Sequence, residues 1–342
     1  MKVSIIGATG YSGLEVIRYL HTHPYVEIVS IHSQTENQSI DTFYPYLKGL
    51  LSLPLEPINP EKIMAQSDLV FLALPSGISK EVAAPFVKNG FPLIDLSGDF
   101  RLEEQGAYEK WYKKEAAHYP LIEAFDYGLA EYRADISKPF IANPGCYATA
   151  AELSFAPLLQ EQLIELDSII IDGKSGLSGA GKGLTQASHF IEANDNMSVY
   201  KMNEHQHIPE IIQQFQRWEP ALTGIQFTTS LIPVTRGIFM TAYAKPKNKI
   251  EPKELLELYR RCYEGKTFIR IQEENRFPVL KQIIGTNFCD IGLSVNEATG
   301  MITLVTTIDN LGKGAAGQAI QNMNLFAGFS ETEGLLHVSI YP

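Results

Sequence analysis

Short apolar runs alternate with segments of helical spacing through the first part of the chain. The runs that predict buried strands are Val3–Ile6, Val26–Ile31, Ser67–Leu74 and Pro92–Leu96. Apolar residues at helical spacing occupy residues 14–20 and about 78–88. Continuous apolar strands that alternate with helices predict an α/β fold over residues 1–145, with a Rossmann-type, doubly wound parallel sheet.

A different pattern begins after residue 150, where threonine and isoleucine recur at every second position. The strands predicted there are Ser168–Asp172, Gly224–Ile232, Gly237–Ala244 and Met301–Ile308. Such alternation is typical of a sheet with one covered face, so residues 146–312 are expected to form an α+β catalytic domain with a largely antiparallel sheet. A last helix, at about 313–330, is expected to pack back on the first domain.

A glycine-rich loop lies between the first predicted strand and the first predicted helix. Its residues are Gly7, Ala8, Thr9, Gly10, Tyr11, Ser12 and Gly13. Glycines let the backbone approach a pyrophosphate, which then meets the helix N-terminus, so this placement favours dinucleotide binding over a merely tight turn. Leu74 and Pro75 follow the third strand and are expected beside the cofactor, because open α/β sheets bind ligands at the carboxyl ends of their strands.

The end of the second predicted strand favours NADP over NAD. An NAD site usually has an acidic residue there to bind the ribose 2′-hydroxyl, whereas this strand ends in His32, Ser33 and Gln34. Hydroxyl and amide donors such as those of Ser33 and Gln34 would tolerate a 2′-phosphate. The alternative is that Glu36, the first acidic residue, reaches back to the ribose.

The segment Asn143–Thr149 carries the candidate nucleophile. Pro144 and Gly145 force a turn after the apolar run 140–142, and the residues that follow Cys146 predict the start of a helix. A thiol at a helix N-terminus is favoured in its nucleophilic thiolate form. The alternative is a buried structural cysteine, which is the commoner role of a lone cysteine.

Two glycine-containing segments supply further candidate contacts. The stretch 174–183 is rich in glycine, hydroxyls and cations but lacks P-loop spacing, so it predicts a contact with the nicotinamide end of a cofactor or with a substrate phosphate. The alternative is a flexible surface loop. A second segment, from Asn310, opens a helix with glycine and lysine. We expect cofactor contacts from Ser175, Gly176 and Asn310, and substrate contacts from Lys174, Ser178 and Asn143.

A histidine pair supplies the candidate acid–base group. Pro209 suits the first position of a helix that Ile211 and Ile212 continue, and His205 and His207 precede it in the sequence. Either histidine could act as acid and base, with Glu210 orienting it by a hydrogen bond. The alternatives are ordinary surface histidines or a zinc site, but no third zinc ligand is evident nearby and no metal is expected.

Two arginines are candidate anion contacts. Arg101 ends a predicted strand of the first domain, and Arg236 lies between two predicted strands of the second. The guanidinium of either could bind a carboxylate or a phosphate through paired hydrogen bonds. The alternative for each is a structural salt bridge.

Composition bounds the class of protein. The net charge of -11 argues against a nucleic-acid partner or an anionic membrane surface. The three cysteines are widely spaced and form no C-x-x-C motif, which indicates a reduced, cytoplasmic chain. The first apolar run is too short for a signal peptide, and no stretch reaches the roughly 18 apolar residues of a membrane-spanning helix.

These features together predict a reaction class. A nucleotide fold that binds NADP indicates hydride transfer, and a thiolate can accept an acyl group as a thioester. A histidine can handle the proton, and cationic loops can receive a phosphate leaving group. The reaction that uses all of these groups is the reductive dephosphorylation of an acyl phosphate to an aldehyde.

The chain resembles the N-acetyl-gamma-glutamyl-phosphate reductase family, of the aspartate-semialdehyde dehydrogenase-like superfamily. The matching segments, which run in order along nearly the whole chain, are Gly7–Gly13, Asp95–Arg101, Asn143–Thr149, Ser175–Gly181, His205–Glu210 and Pro233–Gly237. Tyr147 after the cysteine favours this family over aspartate-semialdehyde dehydrogenase, which usually has serine or threonine there. The resemblance implies that Cys146 is the nucleophile and NADPH the hydride donor. We choose His207 as the acid–base group because Glu210 is one helical step away.

The resemblance also implies a substrate and an assembly. The substrate would be N-acetyl-gamma-glutamyl phosphate, of arginine biosynthesis, and the protein would be a homo-oligomer, either a dimer or a tetramer. One alternative is the same chemistry on an aminoadipyl phosphate of lysine biosynthesis, because one methylene gives only about 1–3 kcal/mol of discrimination. The other is a non-catalytic NADP-binding sensor with Cys146 as a redox switch, which would leave His207 and the 174–183 loop unexplained.

Overall fold

The structure, a computed structural model, describes residues 1–34, 38–133 and 135–341. It divides into two compact units. Unit 1 comprises Met1–Pro144 and Ala315–Leu336, and unit 2 comprises Gly145–Gly314 and the chain from His337 on. Unit 1 is therefore completed by a segment from near the end of the chain.

Strands alternate with helices in the N-terminal part, and longer strands follow. In chain order the strands are β1 (Lys2–Ile6), β2 (Glu27–His32), β3 (Leu55–Glu56), β4 (Leu69–Leu72), β5 (Leu93–Asp95), β6 (Asp126–Tyr127), β7 (Phe140–Ala142), β8 (Ile170–Ser175), β9 (Ser198–Tyr200), β10 (Gln226–Leu231), β11 (Ile238–Ala244), β12 (Ile269–Ile271), β13 (Cys289–Val295) and β14 (Ile302–Ile308). The helices are α1 (Tyr11–His21), α2 (Ile40–Phe43), α3 (Pro60–Gln66), α4 (Ser79–Lys88), α5 (Ala107–Tyr112), α6 (Tyr119–Glu123), α7 (Cys146–Gln160), α8 (Phe190–Ala193), α9 (His207–Trp218), α10 (Pro252–Cys262) and α11 (Gly317–Ala327). A π-helical turn, Gly312–Ala316, leads directly into α11.

The sheet of unit 1 has the order β3-β2-β1-β4-β5-β7-β6, and its described pairs are parallel. Its central strands are apolar, and Ile5, Phe71 and Ile94 are completely buried. Strands buried on both faces are typical of doubly wound sheets, so the Rossmann-type prediction is confirmed. The strand order reverses between β1 and β4, and the carboxyl ends of these strands form the switch point where such sheets bind ligands.

Helix α11 belongs to unit 1 and packs against α1, from the other end of the chain. Its polar side chains are buried and paired. The Asn322 amide donates to the carbonyl of Gly128 over 2.6 Å, and Asn324 Oδ1 lies 2.9 Å from His23 Nε2. Buried amides require such partners, so α11 joins unit 1 through specific hydrogen bonds as well as apolar contacts.

The sheet of unit 2 has the order β12-β13-β14-β11-β8-β10-β9. The pairs β8–β10 and β12–β13 are parallel, and the other described pairs are antiparallel. Helix α7 packs against β11, β13 and β14. The expectation of an α+β fold with a largely antiparallel sheet is confirmed.

The opposite face of this sheet is open in the single chain. Ile170 on β8 pairs with Tyr243 on β11, and these side chains are 43% and 36% exposed. Their neighbours Ile171 and Ala242 point to the covered face and are completely buried. The alternation seen in the sequence therefore reflects one covered and one open face.

Three short or interrupted strands of unit 2 were absent from the sequence prediction. β9 and β12 have three residues each, too few for a periodic pattern. β13 is longer, but Asp290 and Gly292 interrupt its apolar run, and both residue types are depleted in strands. Asp290 is accommodated because Arg270 donates to its carboxylate over 2.5 and 2.9 Å.

Candidate active site

The glycine loop of unit 1 connects the carboxyl end of β1 to α1. Gly7 has φ of 91°, and a Cβ there would lie 2.2 Å from the carbonyl oxygen of Ala73. A Cβ at Gly13 would lie 2.2 Å from the carbonyl oxygen of Gly7. At Gly10, the N-cap of α1, the nearest atom would be 3.5 Å away. Packing within the chain therefore requires Gly7 and Gly13, whereas Gly10 leaves the backbone open to a ligand.

Ser33, expected near a 2′-phosphate, lies beside the glycine loop after the end of β2. Its hydroxyl is 2.9 Å from the hydroxyl of Thr9. The carbonyl of Thr9 in turn accepts a hydrogen bond from the Tyr44 hydroxyl over 2.7 Å. The structure therefore brings Ser33 and the glycine loop together at one edge of the sheet, whereas the competing residue Glu36 lies outside the described residues.

Leu74 and Pro75 follow β4, which pairs with β1 at the switch point. The loop that they begin is fixed by Asp99. The main-chain N–H of Gly77 donates to Asp99 Oδ1 over 2.6 Å, and that of Lys80 donates to Oδ2 over 3.0 Å. Asp99 therefore holds the loop and the start of α4 at the edge where a cofactor would bind.

Asp95, at the end of β5, connects the same region to the sheet. It is completely buried and accepts hydrogen bonds from the hydroxyls of Ser79 and Ser97, the latter over 2.6 Å. Burial raises the pKa of Asp95 to about 6. The segment 95–101, one of those that carry the family resemblance, thus acts structurally through its two aspartates.

Arg101 and Asn143, both expected to contact substrate, lie together in unit 1. Arg101 donates from Nε to the Asn143 carbonyl and from Nη2 to the Leu96 carbonyl, each over 2.8 Å. The Asn143 amide donates to the Ala315 carbonyl over 3.0 Å, and its Oδ1 accepts from Asn322 over 3.3 Å. Both side chains hold the main chain at the end of β7, and their contacts with substrate stay a prediction.

Cys146 is the first residue of α7, and Gly145 is the N-cap. The thiol-bearing side chain is partly exposed. The π-helical turn packs against it, because a Cβ at Gly314 would lie 2.7 Å from the Cys146 Cβ. The first turn of α7 contains no acidic residue, so the positive end of the helix dipole favours a thiolate at this position.

Glu210, in the first turn of α9, contacts the residue before the cysteine. Its side chain is completely buried, and Oε1 accepts a hydrogen bond from the main-chain N–H of Gly145 over 2.7 Å. The sequence predicts that Glu210 orients a histidine. The structure gives it a bond to the main chain next to Cys146, which the sequence reasoning missed because the two residues are 65 positions apart.

His205 lies in an aromatic enclosure at the start of α9. Its ring centroid is 5.4, 5.6 and 5.8 Å from those of Tyr147, Tyr200 and Phe227. The main-chain N–H of His207 donates to His205 Nδ1 over 3.2 Å, which places the ring proton on Nε2. Burial lowers the pKa of His205 to about 2, so this ring stays neutral.

Both chain neighbours of Cys146 contact the first turn of α9. Tyr147 meets the ring of His207 edge-on, with centroids 6.1 Å apart. Gly145 is bound by Glu210, as described above. The structure therefore brings Cys146 and His207 into one cluster.

A second cluster of predicted contacts lies where β8 and β14 end. Asn310 donates from Nδ2 to the Ser178 hydroxyl over 3.0 Å, and its Oδ1 accepts from the N–H of Gly237 over 2.7 Å. A Cβ at Gly176 would lie 2.8 Å from the main-chain nitrogen of Arg236. The structure thus brings together Gly176, Ser178, Arg236 and Asn310, which the sequence placed in three separate segments.

Lys174 and Ser175, the last two residues of β8, point to opposite faces of the sheet. Ser175 is buried, and its hydroxyl donates to the Gly176 carbonyl over 2.9 Å. Lys174 Nζ lies 2.5 Å from Asp172 Oδ2 and 3.0 Å from Thr241 Oγ1. The structure does not bring the Lys174 ammonium to the side chains of the second cluster, and its contact with substrate stays a prediction.

Asp309 contacts the second cluster but was missed in the sequence. It follows β14, is completely buried, and accepts from Arg236 Nε over 3.2 Å and Nη2 over 3.0 Å. It also accepts from the main-chain N–H groups of Gly285, Leu311 and Gly312, over 2.6, 2.9 and 3.2 Å. The sequence signal that could have identified Asp309 is its position, a carboxylate between a Thr- and Ile-rich strand and a glycine-containing segment.

Two absences concern the described part of the chain. No three His, Cys, Asp or Glu side chains gather there into a group that could hold a metal ion, so the zinc alternative at His205 and His207 gains no third ligand. None of the helices described is both long enough and apolar enough to cross a membrane.

Comparison with known proteins assigns both units to one class. Residues 2–137 match the family described as semialdehyde dehydrogenase, NAD binding domain, and residues 146–310 match the semialdehyde dehydrogenase dimerisation domain. The crystal structure of aspartate semialdehyde dehydrogenase II from Vibrio cholerae shares the fold, with a TM-score of 0.73 over 96% of this chain and 98% of that one, at 16% identity. The class is therefore that of the semialdehyde dehydrogenases.

Full-length relatives narrow this class. Proteins named N-acetyl-gamma-glutamyl-phosphate reductase from Listeria innocua and Listeria monocytogenes serotype 4a are 56% and 57% identical, and each alignment covers 100% of both chains. The chain belongs to the N-acetyl-gamma-glutamyl-phosphate reductase family. The resemblance predicted from the sequence motifs is confirmed.

Proposed function

We propose that Cys146 is the nucleophile, and His207 the acid–base group, of an acyl-phosphate reduction. The protein is an NADP-dependent oxidoreductase that reduces N-acetyl-gamma-glutamyl phosphate to N-acetyl-glutamate 5-semialdehyde and phosphate, in arginine biosynthesis, as the names of its full-length relatives support. Those names favour neither the aminoadipyl substrate nor a non-catalytic sensor.

The first chemical step falls to the start of α7. The Cys146 thiolate attacks the gamma-carbonyl carbon, the S–C bond forms, and the C–O bond to phosphate breaks with its electron pair leaving on phosphate. His207 accepts the thiol proton beforehand and can return it to the departing phosphate. Main-chain N–H groups after Cys146 can stabilise the oxyanion that forms on the carbonyl oxygen.

The residues of unit 1 fit a dinucleotide. Gly10 leaves room for a pyrophosphate at the N-terminus of α1, and Ser33 supplies a hydroxyl beside the glycine loop. Bound NADPH supplies the hydride that reduces the thioester. The resulting thiohemiacetal anion breaks its C–S bond, which releases the aldehyde and restores the Cys146 thiolate.

Other residues position these groups. Glu210 fixes the main chain at Gly145, and His205 accepts the N–H of His207 at the start of α9. In unit 2, Ser178, Asn310 and Arg236 are our proposed contacts for the nicotinamide end of the cofactor and for the anionic groups of the substrate. Unit 1 would then be the NADP-binding domain and unit 2 the catalytic domain.

One observation carries this assignment: the residues on both sides of Cys146 contact the first turn of α9, which begins with His207. The test is NADP-linked oxidation of N-acetyl-glutamate semialdehyde, with and without phosphate, by the wild type and by Cys146→Ala. We expect phosphate-dependent NADPH formation that is lost in the variant, while the Kd for NADPH changes by no more than a few-fold. Loss of NADPH binding in the variant would instead assign the thiol a structural role.

We also propose a self-association surface and a location. The family match of unit 2 is to a dimerisation domain, which supports a homo-oligomer, and a dimer or tetramer would bury the open sheet face around Ile170 and Tyr243. Further exposed apolar side chains lie in the segment that follows β8, with Leu184 at 100%, Phe190 at 74% and Ile191 at 76% exposure. The free, widely spaced cysteines support a cytoplasmic location.

A further inference from the structure

Asp309 gathers N–H groups from separate segments of unit 2. Oδ1 accepts from Arg236 Nε and from the N–H groups of Leu311 and Gly312, and Oδ2 accepts from Arg236 Nη2 and from the N–H of Gly285. These distances lie between 2.6 and 3.2 Å. A completely buried carboxylate needs such partners to offset the loss of water, and here the strongest of them is a guanidinium.

The pair with Arg236 is asymmetric in exposure. The two nitrogens of Arg236 meet the two oxygens of Asp309, a bidentate geometry that fixes the plane of the guanidinium. The Arg236 side chain keeps 19% of its surface exposed, whereas that of Asp309 keeps none. One edge of the arginine is therefore fixed within the protein while part of the side chain still faces solvent.

The main chain next to Arg236 also packs against the segment that contains Leu280. Gly237 has φ of 109°, and a Cβ there would lie 2.7 Å from the Leu280 side chain. The segment that contains Leu280 continues to Gly285, whose N–H binds Asp309 over 2.6 Å. The C-terminal tail supports this segment, since the N–H of Ile340 donates to the Ile284 carbonyl over 3.0 Å.

We propose that Asp309 is a positioning residue for the reaction, which holds Arg236 in the orientation that binds an anionic group of the substrate. The inference rests on the proposed function, in which Arg236 contacts the substrate carboxylate or phosphate. Asp309 itself touches neither substrate nor cofactor and acts through Arg236.

The test uses the variant Asp309→Asn in the aldehyde-oxidising direction, with phosphate and N-acetyl-glutamate semialdehyde varied separately. We expect the KM for one of these two reactants to rise about tenfold or more. The Arg236 guanidinium, no longer held by Asp309, would lose its paired hydrogen bonds to the anionic group of that reactant. We expect kcat and the Kd for NADPH to change by no more than a few-fold. The reactant whose KM rises identifies the anion that Arg236 binds.

Asp290→Asn is a matched control. Asp290 is another buried aspartate of unit 2 with a bidentate arginine, Arg270, at 2.5 and 2.9 Å. Its substitution is expected to lower the Tm but to leave both KM values unchanged. If Asp309→Asn also lowers only the Tm, its role is structural and the inference is wrong.

Coupling to Arg236 is tested directly. Arg236→Gln should raise the same KM, and the double variant with Asp309→Asn should raise it no further than Arg236→Gln alone, since residues that act through one another are not additive. If the two substitutions raised the KM independently, so that their fold-changes multiplied in the double variant, the inference would be contradicted.

If Asp309→Asn does not fold, the variant Arg236→Lys tests the same inference. Lysine keeps the charge but cannot make the bidentate contact with Asp309. A KM as high as that of Arg236→Gln supports positioning, and a KM near that of the wild type overturns it. Absence of phosphate-dependent turnover in the wild type would instead reject the proposed function, so the two failures can be distinguished.

Discussion

At the scale of single residues, His205 and His207 differ in environment although only one residue separates them. His205 is enclosed by aromatic rings, and burial lowers its pKa to about 2, which disfavours its protonated form. His207 begins α9 beside the neighbours of Cys146. From these environments we expect proton transfer at His207 and support of the α9 start from His205.

This assignment predicts opposite outcomes for matched substitutions. His207→Asn should lower kcat by roughly 10²–10⁴, the usual contribution of a general acid–base group. His205→Asn should keep kcat within a few-fold, because the Asn carbonyl oxygen can accept the N–H of His207 in place of Nδ1. Steady-state kinetics on both variants decide the matter, and a larger loss in His205→Asn would transfer the acid–base role to His205.

Local sequence patterns pointed to candidate residues whose expected roles depend on their own neighbours along the chain. The Cys146 turn, the glycine loop and the histidine pair all belong to this group. The hydrogen bond of Glu210 with the Gly145 N–H could not be predicted, because Gly145 is 65 positions away. Asp309 was missed for the same reason, since Arg236 is 73 positions away and only the sheet of unit 2 brings them together.

At the scale of elements, the turn from β1 into α1 contains two glycines that packing requires and one glycine that we expect to serve ligand binding. Gly7 and Gly13 are required by contacts of 2.2 Å that a Cβ would make with main-chain oxygens. Gly10 has ordinary φ and ordinary contacts, so the protein alone does not require a glycine there. We therefore expect that the glycine at this position serves the approach of a pyrophosphate.

The two glycines should therefore respond differently to alanine. Gly10→Ala should raise the Kd for NADPH about tenfold or more, equivalent to about 1.4 kcal/mol, with little change in Tm. Gly13→Ala should cost about 1–3 kcal/mol of stability through overpacking. Fluorescence titration with NADPH and thermal unfolding measure the two effects, and a lower Tm with an unchanged Kd in Gly10→Ala would contradict this division.

Strands and helices with an uninterrupted apolar pattern were predictable from the sequence. A strand whose pattern is broken by a polar residue was not, when only a contact with another strand accommodates that residue. β1, β4 and α1 follow from the periodicity of their apolar residues. β13 does not, because Asp290 breaks its pattern and is accommodated only through Arg270 on the neighbouring strand β12. The contact with Arg270 thus overrides the low strand preference of the aspartate at position 290.

At the scale of the whole molecule, the open face of the unit 2 sheet is an apolar surface that the described part of the chain leaves uncovered. Ile170 and Tyr243 lie side by side on it, beside the ion pair of Lys174 with Asp172. Exposed apolar patches of this kind mark interaction surfaces. A second copy of the chain is the occupant that the dimerisation-domain match supports.

Charge placed on this face should weaken self-association. Tyr243→Asp is expected to raise the dissociation constant of the oligomer by at least about 30-fold, the effect of removing a contact worth about 2 kcal/mol. Sedimentation velocity over a concentration series measures the change. Leu50→Asp, at an exposed apolar residue of unit 1, is the control, and equal dissociation in both variants would exclude the sheet face as the interface.

The path of the chain has a consequence for synthesis. Unit 1 includes both Met1–Pro144 and Ala315–Leu336, so a ribosome must also translate residues 145–314 before α11 becomes available to pack on α1. Until then, the side of α1 that meets α11 and the carbonyl of Gly128 lack the partners they have in the finished protein. Residues 1–144 are therefore translated before unit 2 down to Gly314, but the unit to which they belong is completed only after it.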